Sequence, residues 1–189
     1  MKILAGLGNP GYEYALTRHN VGWMVIDQIV EQSRLGIPKD SFSSMAWGPC
    51  FLEGQRCVLL KPLTFMNLSG RAVGEAARYY DCPPEDVLTI CDDVALPFGT
   101  LRLRAKGSSG GQKGLESVLG AFRTLDAPRL RIGVGAQPEG RDRASWVLGV
   151  FDRDQRELLP EVIQRAADGC LAWVRTDIQK AMSFVNVPF

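Results

Sequence analysis

Short apolar runs alternate with amphipathic helical stripes along most of this 189-residue chain, which restricts the fold more than any single residue does. Lys2 to Leu7 reads as a buried strand entering a glycine turn. Val21 to Arg34 then carries Val21, Met24, Val25, Ile29 and Val30 at helical spacing, so the chain starts as a β-α unit. Arg56 to Leu60 and Val87 to Cys91 read as further strands, with Leu101 to Leu103 and Arg131 to Val134 as shorter ones. Ser69 to Tyr80, Gly114 to Phe122 and Asp154 to Met182 read as helices, the last with a break expected near Gly169. Ser33 to Pro49 is the least regular stretch and is expected to be a surface excursion, and Gly107 to Gly111 reads as a mobile loop. This alternation predicts an α/β fold: a single domain over residues 1–189, with a twisted mixed, mostly parallel central sheet flanked by helices. In such sheets the chemistry sits in loops beyond the carboxyl ends of the strands.

The apolar run at the N-terminus is too short for a signal-peptide core, and no stretch reaches the ~20 apolar residues that span a bilayer. A cytoplasmic location without membrane contact is expected. Cys50, Cys57, Cys82, Cys91 and Cys170 contain no C-x-x-C pair, so neither a disulfide framework nor a zinc site is indicated, and no metal is expected. The formal net charge is only +1, but it is unevenly spread. Between Phe98 and Arg131, Arg102, Arg104, Lys106, Lys113, Arg123, Arg129 and Arg131 stand against only Glu116 and Asp126. A local basic patch of this kind suits phosphate, although a solvated charged face would look the same.

Gly6-Leu7-Gly8-Asn9-Pro10-Gly11 formally matches the G-x-G-x-x-G dinucleotide fingerprint. The match is weak, because Pro10 removes an amide from the turn and the helical stripe begins only near Asn20. The acid expected at the end of a second strand could only be Glu31, inside the first helix.

The chain has a single histidine, His19, so any proton transfer by imidazole runs through it. Asp92 follows the apolar run Val87-Leu88-Thr89-Ile90 and emerges at a strand tip, where a carboxylate can orient an imidazole. Asn9 and Asn67 each offer an amide donor and acceptor in Gly/Pro-rich turns, where turn geometry alone would also explain them. Cys91 adjoins Asp92, whose negative charge disfavours a thiolate.

Taken together, Gly6-Leu7-Gly8-Asn9-Pro10-Gly11, Thr17-Arg18-His19-Asn20-Val21-Gly22, Lys61-Pro62-x-Thr64-Phe65-Met66-Asn67-x-Ser69-Gly70 and Asp92-Asp93-x-x-Leu96-Pro97-x-Gly99 resemble the motifs of bacterial-type peptidyl-tRNA hydrolases. Arg129 to Gly135 and Val147-Leu148-Gly149-x-Phe151 match in the same order, so the likeness covers nearly the whole chain. The resemblance implies cleavage of the ester joining a peptide to the terminal ribose of tRNA, by a monomer that needs no metal or cofactor. It implies that His19 is the general base, that Asp92 fixes and polarises it, and that Asn67 holds the ester carbonyl or peptide backbone. It further implies that Asn9 contacts the terminal nucleotide, with Tyr14, Phe65 and Met66 also in the substrate-binding group. Arg104 and Arg131 fall where the family clamps the tRNA 5′-phosphate, with arginine at 104 in place of lysine.

The match departs at one place. The family commonly shows Gly-Gly-His-Asn-Gly-Leu at a helix start, whereas this chain reads Gly110-Gly111-Gln112-Lys113-Gly114-Leu115. Lys113 therefore replaces an asparagine that helps place water or substrate, and an ammonium has donors but no acceptor. Lys113 is expected near His19, where it could meet the tRNA backbone or stabilise negative charge. The alternative is a non-catalytic RNA-binding relative of the same fold, like the plant organelle splicing factors.

Overall fold

Residues 1–188 are described by a computed structural model; Phe189, the last residue of the expected domain, lies outside the described residues. The chain runs β1 (Lys2–Gly6), α1 (Val21–Gln32), β2 (Lys39–Ser41), β3 (Ser44–Leu52), β4 (Gln55–Pro62), α2 (Ser69–Tyr79), β5 (Val87–Asp93), β6 (Leu101–Arg104), α3 (Lys113–Phe122), β7 (Arg129–Gly133), α4 (Arg143–Val147), α5 (Arg153–Arg175) and α6 (Ile178–Val185). One sheet forms in the order β2-β3-β4-β1-β5-β7-β6. The four central strands are mutually parallel. The remaining pairings, β2 with β3, β3 with β4 and β6 with β7, are antiparallel.

The sheet is thus mixed as expected, but parallel only at its centre. Its antiparallel share is larger because Ser33 to Pro49, read as irregular, holds β2 and the first part of β3. That hairpin was hidden by the polar Lys39-Asp40-Ser41 and by a register shift between Trp47 and Cys50, which together erase the period-2 alternation.

Alternation along β1 feeds two cores. Leu4 packs with α1, α5 and α6, while Ile3, Ala5 and Leu7 pack with α2 and α3. Every residue of β5 is buried, consistent with helices on both faces. The glycines of the first motif serve this packing. A Cβ on Gly6 would run into the Gly22 carbonyl, and one on Gly22 into the Ile90 carbonyl and the Leu7 backbone. The first turn of α1 therefore lies directly on β1 and β5, which brings the residues before it to the strand tips. A tight helix–strand contact, not a pyrophosphate, accounts for the glycine spacing.

The long C-terminal helix does not break at Gly169. It runs on to Arg175 and stops where the Thr176 hydroxyl donates to the Ala172 carbonyl at 2.7 Å, after which Asp177 caps α6. Gly169 is small because Val185 of α6 seats against it, so it is a packing gap rather than a helix end. The loop 107–111 is tied at its start: Arg129 donates to the Gly107 and Ser108 carbonyls at 2.7 and 3.1 Å, and Arg131 to Ser108 at 2.8 Å.

Candidate active site

Beyond the ends of β1 and β5 lies a cleft of about 420 Å³, lined by Asn9, His19, Phe65, Met66, Asn67, Asp92, Gly111, Gln112, Lys113, Arg143, Ala144, Val147 and Leu148. His19 sits in a single 3-10 turn, Arg18–Asn20, immediately before α1. Its Nδ1 lies 2.9 Å from Oδ1 of Asp92, the penultimate residue of β5. The same Oδ1 receives a hydrogen bond from Gln112 Nε2 at 3.0 Å. An amide nitrogen only donates, so Asp92 is the acceptor of both bonds, and the imidazole presents Nδ1–H to it. That tautomer leaves Nε2 with a free lone pair, the arrangement a general base requires.

The remaining polar groups close a ring around this pair. Asn20 is wholly buried; its Oδ1 accepts from Asn9 N and its Nδ2 donates to Asn9 O, both at 2.9 Å. Asn9 Oδ1 in turn accepts from Met66 N at 2.8 Å, which fixes the amide so that its Nδ2 is the end left to donate. Gln112 Nε2 approaches Met66 Sδ at 3.4 Å, and Gln112 Oε1 caps α3 by accepting from Leu115 N at 2.6 Å. Each buried polar group is thus held by another, which costs little and fixes geometry.

One wall of the cleft is α4 with Leu148, joined to the histidine turn by Arg18. This guanidinium is buried over the Trp146 ring, 3.6 Å from its centroid, and donates to Gln155 Oε1 at 3.3 Å. Burial draws its pKa below the ordinary arginine value, with the Asp152 carboxylate opposing. Arg18 N also donates to the Gly149 carbonyl, and Thr17 pairs with Val150. Because Arg18 adjoins His19, this anchorage ties the imidazole to the cleft wall.

The structure brings Asn9, His19, Phe65, Met66, Asn67, Asp92 and Lys113 to the cleft and leaves Tyr14 out of its lining. Asn67 is exposed at the mouth. Lys113 lies at the rim as the first residue of α3, but its ammonium turns outward to Glu116 at 3.2 Å, so the expected approach of this cation to His19 is not what the fold produces. Cys91 faces the α2–α3 core; burial, with Asp92 adding to it, pushes its thiol up to about 12, which removes it as a nucleophile.

Arg104 and Arg131 meet in a separate pocket of about 310 Å³, together with Arg102, Lys106 and Arg129. Arg104 is exposed, whereas Arg131 is pinned by Asp93 Oδ2 at 3.2 Å. Arg129, fully buried, braces the loop beneath.

Sequence reading passed over Gln112, Asn20, Arg18 and the α4 residues. Gln112 carried one usable signal: it stands at the helix start where the resembling family has histidine, one position before the departure at Lys113.

The profile of the family described as Peptidyl-tRNA hydrolase matches residues 3–188. Among curated proteins, the chain is 42% identical over 189 residues to a peptidyl-tRNA hydrolase of Symbiobacterium thermophilum, covering 98% of each chain. It is also 42% identical over 186 residues to one from Caldanaerobacter subterraneus subsp. tengcongensis, covering 98% of this chain and 100% of the other. Among solved structures, the peptidyl-tRNA hydrolase of Acinetobacter baumannii superposes with a TM-score of 0.92 at 30% identity, over 99% of this chain and 95% of that one. The chain belongs to the peptidyl-tRNA hydrolase family.

Proposed function

We propose that this chain hydrolyses the ester between a peptide and the terminal ribose of tRNA, with His19 as general base and Asp92 as its fixed partner. The 2.9 Å contact between His19 Nδ1 and Asp92 Oδ1 carries the assignment, because it aims the basic Nε2 into the cleft. Nε2 takes a proton from water as the water oxygen bonds to the ester carbonyl carbon. The resulting imidazolium is stabilised by Asp92, and a positioned base of this kind contributes about 10²–10⁴-fold. Negative charge develops on the former carbonyl oxygen, where the Asn67 amide at the mouth and the Asn9 Nδ2 can donate. The tetrahedral species then collapses, the bond to the ribose oxygen breaks, and His19 returns its proton to that oxygen. The products are free tRNA and a peptide carboxylate.

Phe65 and Met66 supply apolar wall to the cleft, and Arg104 with Arg131 forms a cationic pocket suited to the tRNA 5′-phosphate. Among the described residues no helix is long and apolar enough to cross a membrane.

The test is release of labelled acyl-amino acid from N-acetyl-aminoacyl-tRNA beside release from free aminoacyl-tRNA. The blocked substrate is turned over and the free one is spared, because a charged ammonium loses solvation in this cleft without finding a partner. Equal cleavage of the two would overturn the peptide-reading part of the proposal.

A further inference from the structure

A third cavity, of about 360 Å³, is lined by Pro10, Tyr12, Trp23, Met24, Asp27, Met45, Lys61 and Leu63 among others, and the chemistry described above makes no use of it. Its place in the fold is informative. The cationic pocket lies over β5, β7 and β6, the ester cleft over β1 and β5, and this cavity over β3, β4 and β1, so the three follow one another across the sheet. Two short stretches join the last two: Asn9 lines the cleft and the adjacent Pro10 the cavity, while Phe65 lines the cleft and Leu63, two residues before it, the cavity. A substrate whose tRNA lies toward Arg104 and Arg131 must send its peptide the other way.

The cavity has the chemistry of a peptide seat. Met24, Met45 and Leu63 form apolar walls, and two methionines can adapt to side chains of varied shape. Lys61 is only 7% exposed, and of its three N–H groups one goes to Asp27 Oδ1 at 2.7 Å while the ammonium sits 4.8 Å from the Trp23 ring centroid. Trp23 lines the cavity as well, while its Nε1 is enclosed beside Gly8 and is not open to a ligand. The remaining Lys61 N–H groups beside an apolar surface match the carbonyls and side chains of an extended peptide. Such a chain advances roughly 3.3–3.6 Å per residue, so its third to fifth residues stand roughly 10–18 Å from the ester.

We infer that this cavity is a second subsite for the nascent peptide, holding an apolar side chain among Met24, Met45 and Leu63 and a peptide carbonyl on Lys61. The inference rests on the ester-hydrolase reading above. It gives the enzyme a graded preference for longer apolar peptides over a single acylated residue, with no demand for one sequence.

The experiment compares kcat/KM on three substrates sharing one tRNA: N-acetyl-aminoacyl-tRNA, a hexapeptidyl-tRNA with leucine at the third to fifth residues from the ester, and the same hexapeptide with glycine there. Wild type prefers the leucine over the glycine peptide by about tenfold, the range expected for apolar side chains in a pocket. Leu63→Ala and Met24→Ala each reduce that preference to about twofold through KM, and the single-residue substrate, which does not reach the cavity, is turned over as before. Leu63 is 39% exposed and outside both cores, so its variant folds even where Met24→Ala fails. Equal rates on the two hexapeptides, or a preference the variants leave intact, overturns the subsite while leaving the hydrolase standing. A wild type inactive on all three substrates removes the hydrolase reading and the subsite with it.

Discussion

The ester cleft and the cationic pocket share the β5 tip, where Asp92 serves one and Asp93 the other, yet they are built by opposite means. In the cleft, Asp92, Asn9, Asn20 and Gln112 are all at least nine-tenths buried, and each is held by another polar group in a closed set of bonds. In the pocket, Arg102, Arg104 and Lys106 stand in solvent, and only Arg129 and Arg131 are braced. The contrast matches the tasks proposed for the two sites. A proton transfer tolerates little misplacement, so its groups are fixed before substrate arrives. A phosphate is met by charge over a distance, where mobile cations on long stems suffice.

Gln112→Leu breaks this contrast most. It removes a bond to the Asp92 carboxylate, of a kind worth about 1.5–3 kcal/mol, so kcat falls by about 10–100-fold while KM for tRNA changes little. Loss of the cap on α3 lowers thermal stability as well, by about 1 kcal/mol. Steady-state kinetics and a melting curve on the same sample separate the two effects, and an unchanged kcat would show that Asp92 is positioned without Gln112.

Arg104→Ala has a smaller and different effect. This side chain is exposed and makes only a long 3.5 Å contact to the Leu103 carbonyl, so its removal leaves the fold untouched. The KM for tRNA carrying a 5′-phosphate rises by about 3–10-fold and that for 5′-dephosphorylated tRNA hardly moves. Equal losses on both would remove the clamp. Lys113→Asn is the mildest: with the ammonium paired outward to Glu116, restoring the family's asparagine changes kcat by no more than about threefold, since exposed pairs contribute about 0–1 kcal/mol. A collapse in kcat would make Lys113 a working part of the cleft.

The same contrast explains how much the sequence revealed. Asp92 was legible because it ends an apolar strand run, His19 because it is the chain's single histidine, and Asn9 and Asn67 because they lie in the loops after β1 and β4, where strand tips collect chemistry. The cationic pocket was legible as charge density between Phe98 and Arg131. Gln112 was not, because its partner Asp92 is 20 residues away and nothing local distinguishes a cap residue whose amide also reaches a carboxylate. Nor was the burial of Arg18, which depends on Trp146, 128 residues along the chain. In the fold, the central strands showed through their continuous apolar runs, while the β2–β3 hairpin did not because polar residues and a bulge conceal its period.

His19 held by Asp92 is the centre of this account, and single-turnover hydrolysis of N-acetyl-aminoacyl-tRNA by wild type and His19→Ala, with tRNA affinity measured in parallel, tests it most directly. The account predicts a rate lowered by about 10²–10⁴-fold with tRNA binding retained. A wild type that binds tRNA tightly yet turns over no faster than His19→Ala would contradict it and mark the chain as an RNA-binding member of the fold.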